Sequence, residues 1–171
     1  MKHSKQTTGR RAIAALVGLA ATGMIAVAPA QAATYTATGT STKDKSVAFE
    51  VDVDAKAKKG KLKKASSIER LTMENAEFEC SATGESGRSD YAHMGLFEAP
   101  VQIAKSGKFD DVYELEAGGY VVERYTLEGK VTGKGKSMVV TGTFQAEKGA
   151  GGIKFNNCNT GAVPFKVKAK L

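Results

Sequence analysis

Tryptophan is absent from this chain, and proline, cysteine and histidine are scarce: three, two and two among 171 residues. Each shortage closes a route. Without tryptophan there is none of the large aromatic platform on which sugar-cleaving clefts stack their substrates. One histidine beyond the amino-terminal leader, and two cysteines outside any Cys-x-x-Cys spacing, leave too few ligands for a zinc or copper centre. No Gly-x-Ser-x-Gly elbow accompanies the serines. The glycine run at Lys148-Gly149-Ala150-Gly151-Gly152 lacks the Lys-Ser or Lys-Thr that ends a phosphate loop. No cofactor is expected.

Acids are missing from the first 43 residues, which instead carry Lys2, Lys5, Arg10 and Arg11, then the apolar run Ala12 to Ala28 and the small-residue site Ala30-Gln31-Ala32. This order reads as a bacterial secretory signal cleaved after Ala32. A retained membrane helix is the weaker reading, because the run is rich in alanine and glycine and ends at Pro29. Arg10-Arg11 leaves the twin-arginine route open beside general secretion, which is favoured. No cysteine stands at the cleavage site to take a lipid. Residues 33–171 are therefore expected to be one exported domain, secreted or held outside the cytoplasm, with no membrane span. Removing 32 of 171 residues leaves 139, enough for a real core. Four of the 25 cations leave with the signal, so 21 face 18 acids and the net charge falls from +7 to +3. That balance gives nucleic-acid binding little support.

Cys80 and Cys158 both belong to the exported part, and in an oxidising compartment they are expected to pair. Two buried free thiols are the alternative.

The rest of the chain alternates. Tyr125 to Ala146 reads as a β-hairpin reversing over Lys134 to Ser137, with Gly133 opposite Met138, Val131 opposite Val140, Gly129 opposite Gly142 and Leu127 opposite Phe144. A one-residue slip would exchange that set for a polar one. The two facing glycines mark a thin place where Phe155 or Phe165 is expected to pack. Thr34 to Ser41 suits a first strand, and Ser46 to Asp54 points Val47, Phe49, Val51 and Val53 one way and its acids the other. Ile68 to Met73 and Ala76 to Cys80 change parity at Glu74-Asn75, which calls for a bulge or tight turn; a helix over Ser67 to Glu77 competes. Tyr91 to Phe97, Val101 to Ile103 and a segment opening with Ile153 and Phe155 read as further strands. In the last segment Val163, Phe165, Val167, Ala169 and Leu171 alternate with Pro164 and lysines, the pattern of a guarded edge strand.

Four stretches invite a function. The arm Ala55 to Ala65 gathers Lys56, Lys58, Lys59, Lys61, Lys63 and Lys64 around Gly60, a docking site for an anionic envelope polymer or simply an arm kept soluble by its charge. Asp110, Asp111, Glu114 and Glu116 form the densest acidic patch and could be a glycosidase pair or a solvated turn. Ser81 to Asp90 is a polar loop that an inhibitor or toxin would present to an extracellular protein, and its serines Ser81, Ser86 and Ser89 precede His93. Asp52-Val53-Asp54 lacks the glycine and distal glutamate of a calcium loop. His93 is taken as an ordinary strand or loop residue.

The paired strands Leu127-Glu-Gly129-Lys-Val131 and Val140-Thr-Gly142-Thr-Phe144, followed by Cys158-Asn-Thr-Gly161-Ala-Val163-Pro-Phe165, resemble small secreted bacterial β-sandwich proteins of unknown function. The resemblance implies an all-β fold and one disulfide, and carries over no catalytic residue. The expected molecule is an antiparallel β-sandwich or flattened barrel acting as a non-enzymatic binding module. A small hydrolase working through the acids, or a secreted inhibitor, is the alternative.

Overall fold

The computed structural model describes residues 32–149 and 157–171. The leader expected to be a secretory signal, up to residue 31, and the segment opening with Ile153 and Phe155 lie outside the described residues. Ten strands and one 3-10 turn follow in chain order. These are β1 (Ala32–Ser41), β2 (Ala48–Lys58), β3 (Lys61–Cys80), β4 (Ser86–Ala92), the turn Met94–Phe97, β5 (Val101–Gln102), β6 (Lys108–Ala117), β7 (Tyr120–Lys134), β8 (Ser137–Lys148), β9 (Cys158–Asn159) and β10 (Val163–Lys170). No helix among the described residues is long and apolar enough to cross a membrane.

Every pairing is antiparallel, and six strands close in a ring, β10-β1-β2-β3-β9-β8, sealed where β8 meets β10. β7 and β6 extend outward from β8, while β4 and β5 pair with β3. β9 and β10 are one interrupted line along β8. Lys148 faces Cys158 and Glu147 faces Asn159, then Phe144 faces Val163, one residue out of step. The extra residue is absorbed around Thr160, whose N–H donates to Ala146 O while its Oγ1 accepts from Ala146 N.

The alternation of apolar residues decides which faces turn inward. Val47, Phe49, Val51 and Val53 are buried, as are Leu127, Val131, Met138, Val140 and Phe144. The β7–β8 register has the expected partners, Gly133 with Met138, Val131 with Val140, Gly129 with Gly142 and Leu127 with Phe144. A Cβ built on Gly142 would stand 2.3 Å from Glu128 O and 3.0 Å from the Phe165 ring, and one on Gly129 would stand 2.5 Å from the Phe109 ring. The thin place is thus filled by Phe165, as expected, and by Phe109, which its distance along the chain conceals. Phe165 stacks in turn on Phe49, with ring centroids 4.8 Å apart.

Several local expectations change. Ser67 to Glu77 is strand throughout, because β2 offers it a continuous apolar partner, Val51 against Leu71 and Phe49 against Met73. The parity change sits at Asn75, whose φ of 59° breaks the ladder between Met73 and Ala76. Its amide side chain donates to Ser46 O, and its backbone N–H donates to Asp90 Oδ1. The polar loop is shorter than Ser81 to Asp90, since Ser86 onward joins β4. Tyr91 to Phe97 is not one strand, for the chain leaves β4 at His93 and turns through Met94–Phe97.

The last segment is no edge. β10 bonds to β1 on one side and to β8 on the other. Pro164 is tolerated because β1 has ended there, Ser41 being opposite Phe165.

Candidate functional site

Two-residue periodicity places alternate side chains outside, and on the β6-β7-β8-β10-β1 surface three successive rows of those outside positions are mostly lysines and threonines, bordered by Asp110 and Glu128. Lys108, Lys130, Thr141, Lys166 and Thr40 stand directly opposite one another in a single row across five strands. The next row carries Thr132, Val139, Lys168 and Thr38, and the one beyond it Lys134, Ser137 and Lys170. Val139 points outward yet is only 6% exposed. Its direct cross-strand partners are Thr132 and Lys168.

The sequence-predicted arm joins this surface at one end of the molecule. Lys59 and Gly60 form the β2–β3 tip, with φ of 52° and 68°. The arm sets Lys56 opposite Lys64 and Lys58 opposite Lys61, with all six of its lysines exposed. The tip lies against the β7–β8 turn, where a Cβ on Gly60 would be 3.5 Å from both Lys136 Cγ and Leu171 O. Leu171 N donates to Lys136 O. A groove lined by Leu62, Lys63, Lys64 and Lys105 continues it towards the β5–β6 loop. With Lys105 and Lys136, the arm and the sheet face amount to fourteen lysines. The stretches that carry them, residues 55–66, 104–109, 129–141 and 166–171, contain no acid. Among the described residues none of the fourteen forms a salt bridge.

Sequence reading found six of these lysines because they fall in one short run. The other eight sit on three separate stretches, and β10's were assigned to edge protection. What the local pattern could not supply was the pairing of β6 and β10 with the β7–β8 hairpin, which brings Lys108 and Lys166 into the row of Lys130 and Thr141.

The acidic patch is dispersed by the same alternation. On β6, Asp110 is exposed while Asp111 turns inward with Tyr113, and Glu114 is held by Arg124 Nε at 2.7 Å. Arg124 also reaches Glu147 at 3.2 Å. Ser81 and Ser86 lie on a groove of about 750 Å³ beside the disulfide, with Glu79, Glu85, Gln145 and Asn159. No group of three metal-ligating side chains occurs among the described residues.

His93 is a loop residue, between β4 and the 3-10 turn, but a buried one. It is 1% exposed and packs against both Tyr125 and Phe144, with centroids 5.8 Å from each. Its Nε2 lies 3.2 Å from Asp111 Oδ2, but neither ring nitrogen makes a hydrogen bond. Burial pushes its pKa down, against the pull of the Asp111 carboxylate. Tyr125, whose hydroxyl donates to Glu123, is pushed upward, first by burial and then by that bond.

The disulfide is formed. Cys80 and Cys158 are direct cross-strand partners joining the end of β3 to β9. Comparison of the chain with protein-family models, with curated proteins and with solved structures gives no match.

Proposed function

We propose that the protein works outside the cytoplasm as a non-enzymatic binding module that holds an anionic polymer against its lysine surface. One observation carries the reading: fourteen lysines meet at one end and on one face, where only Asp110 and Glu128 border their outermost row, and among the described residues no ion pair neutralises them. Like charges so gathered repel one another, and a polyanion that releases its counterions relieves that repulsion. Lysine, a compact charge on a flexible stem, suits a polymer met in many poses better than a fixed carboxylate or phosphate fork. The interleaved threonine hydroxyls can donate to its oxygens. The frame we take for this surface is a flattened barrel, since the inner faces of the ring and of β6 and β7 contribute to one core. The disulfide supports placement in an oxidising compartment.

Long-chain polyphosphate is a suitable probe. Its affinity should fall linearly with log salt, and replacing Lys56, Lys58, Lys59, Lys61, Lys63 and Lys64 with glutamine should shallow that slope. Replacing Lys108, Lys130, Lys166 and Lys168 should shallow it independently. No binding at low salt, or slopes indifferent to both sets, would end the proposal.

A further inference from the structure

The opposite charge is concentrated on β6. This strand bonds to β7 along one edge. On its other edge the single backbone bond among the described residues is Ala104 N to Lys108 O, so the main chain from Asp110 onward is unpaired there. The large apolar side chains left exposed include two on this strand, Val112 on the outward face with Asp110 and Glu114 and Leu115 on the other, together with Met94 and Phe97 on the 3-10 turn and Tyr120 at the start of β7. Phe97 is 69% exposed and Val112 62%. Glu98, Asp110, Glu114 and Glu116 rim them, and residues 109–120 contain no cation. Open hydrogen-bonding groups beside carboxylates are the chemistry that receives a further strand rich in lysine.

The chain carries such a strand. Lys61, Lys63 and Lys64 stand exposed at the start of β3, while Leu62 between them packs on the molecule's own core. On the side away from β2, the bonds of β3 among the described residues begin only at Ser66, which accepts from Ile103 N, and at Ser67 and Ile68, which pair with β5. Residues Lys61 to Ala65 thus present a basic edge, as Asp110 to Ala117 present an acidic one. We propose that the β6 edge of one molecule receives the Lys61–Ala65 edge of a second copy. The two surfaces differ, so the contact is head-to-tail and leaves one edge of each kind open at the ends, giving short chains of molecules in place of a closed dimer. This does not rest on the polymer reading, although a polyanion seated on the arm would compete with it.

Sedimentation velocity of the full exported chain tests it. At low ionic strength the sedimentation coefficient should rise with protein concentration, and in about 1 M salt, where the screening length is ~3 Å, it should return to the monomer value. Two charge-reversed variants sharpen the test: Lys61→Glu with Lys63→Glu, and Asp110→Lys with Glu116→Lys, none of which breaks an ion pair of the fold. Each variant alone should stay monomeric, and an equimolar mixture should associate again, because every acidic edge then meets a basic one. A wild-type monomer at all concentrations in low salt, or association that persists in both variants separately, would overturn the proposal. Failure of polyphosphate to bind would leave it standing.

Discussion

The arginines and the lysines of this protein do different work. All three arginines of the described residues are engaged: Arg70 with Glu50 and Asp52, Arg88 with Asp44 and Glu77, Arg124 with Glu114 and Glu147. Arg88 also reaches Ser46 and Asn75 O, so one guanidinium fastens the β1–β2 loop to the bulge of β3. The disulfide lies in the same half. The lysine half has no such ties. Its tips are held by packing and by backbone bonds, and its cations are left to solvent. A rigid fork with five donors suits a fixed contact, and a mobile ammonium suits an open one, so the residue chosen at each end separates charge that builds the fold from charge kept available.

Removing the bond that distinguishes the tied half should have the largest effect. Separated by 78 positions in the sequence, Cys80 and Cys158 restrict the unfolded chain by an amount the entropy model puts at about 4.5 kcal/mol. A Cys80→Ala, Cys158→Ala variant is expected to lose about 2–4 kcal/mol in chemical denaturation. If it lost nothing, the tied half would not be tied by its disulfide.

Packing is the lysine half's substitute, and Gly142 tests it. A valine there meets Glu128 O, Phe165 and Gly129 at once. Gly142→Val should cost about 3 kcal/mol, near the upper end for overpacking, read as a shift of the urea midpoint. Unchanged stability would show that the glycine pair is not a packing constraint.

The smallest effect belongs to His93. Its folded pKa lies below its unfolded value, so at acid pH the unfolded chain binds a proton the native one resists. Its contribution is present above the unfolded pKa and is lost as the pH falls below about 6.5, with a slope of at most ~1.4 kcal/mol per pH unit. His93→Phe should remove that slope while the carboxylate titrations at lower pH persist. An identical pH profile for the variant would refute a neutral buried imidazole.

How much of this was legible depended on distance along the chain. Alternation fixed the inward set of β2 and the full register of the β7–β8 hairpin, because both are local. The break at Asn75 showed itself as a change of parity. The role of β10 did not, since Pro164 and three lysines mean one thing on an edge and another between β1 and β8, and only long-range pairing separates them. The lysine arm was visible as a run, whereas the row Lys108, Lys130 and Lys166 exists only after three strands are in register. His93 offered no signal, because a histidine's burial is decided by the aromatics that surround it, and Tyr113, Tyr125 and Phe144 come from β6, β7 and β8.

The place of β10 also governs the order in which the molecule can assemble. The final strand lies between the first and one of the last, with Thr38 opposite Lys168 and Val140 opposite Val167. Until that segment is free, β1 and β8 each lack a neighbour and the ring stays open. A chain still being synthesised, or still threading through a pore, can form its hairpins but cannot close its core. Closure then waits on contacts between distant segments, which makes folding slow relative to helical domains of this size. The native state is therefore a late and collective event, available only to a chain in which β10 has been delivered.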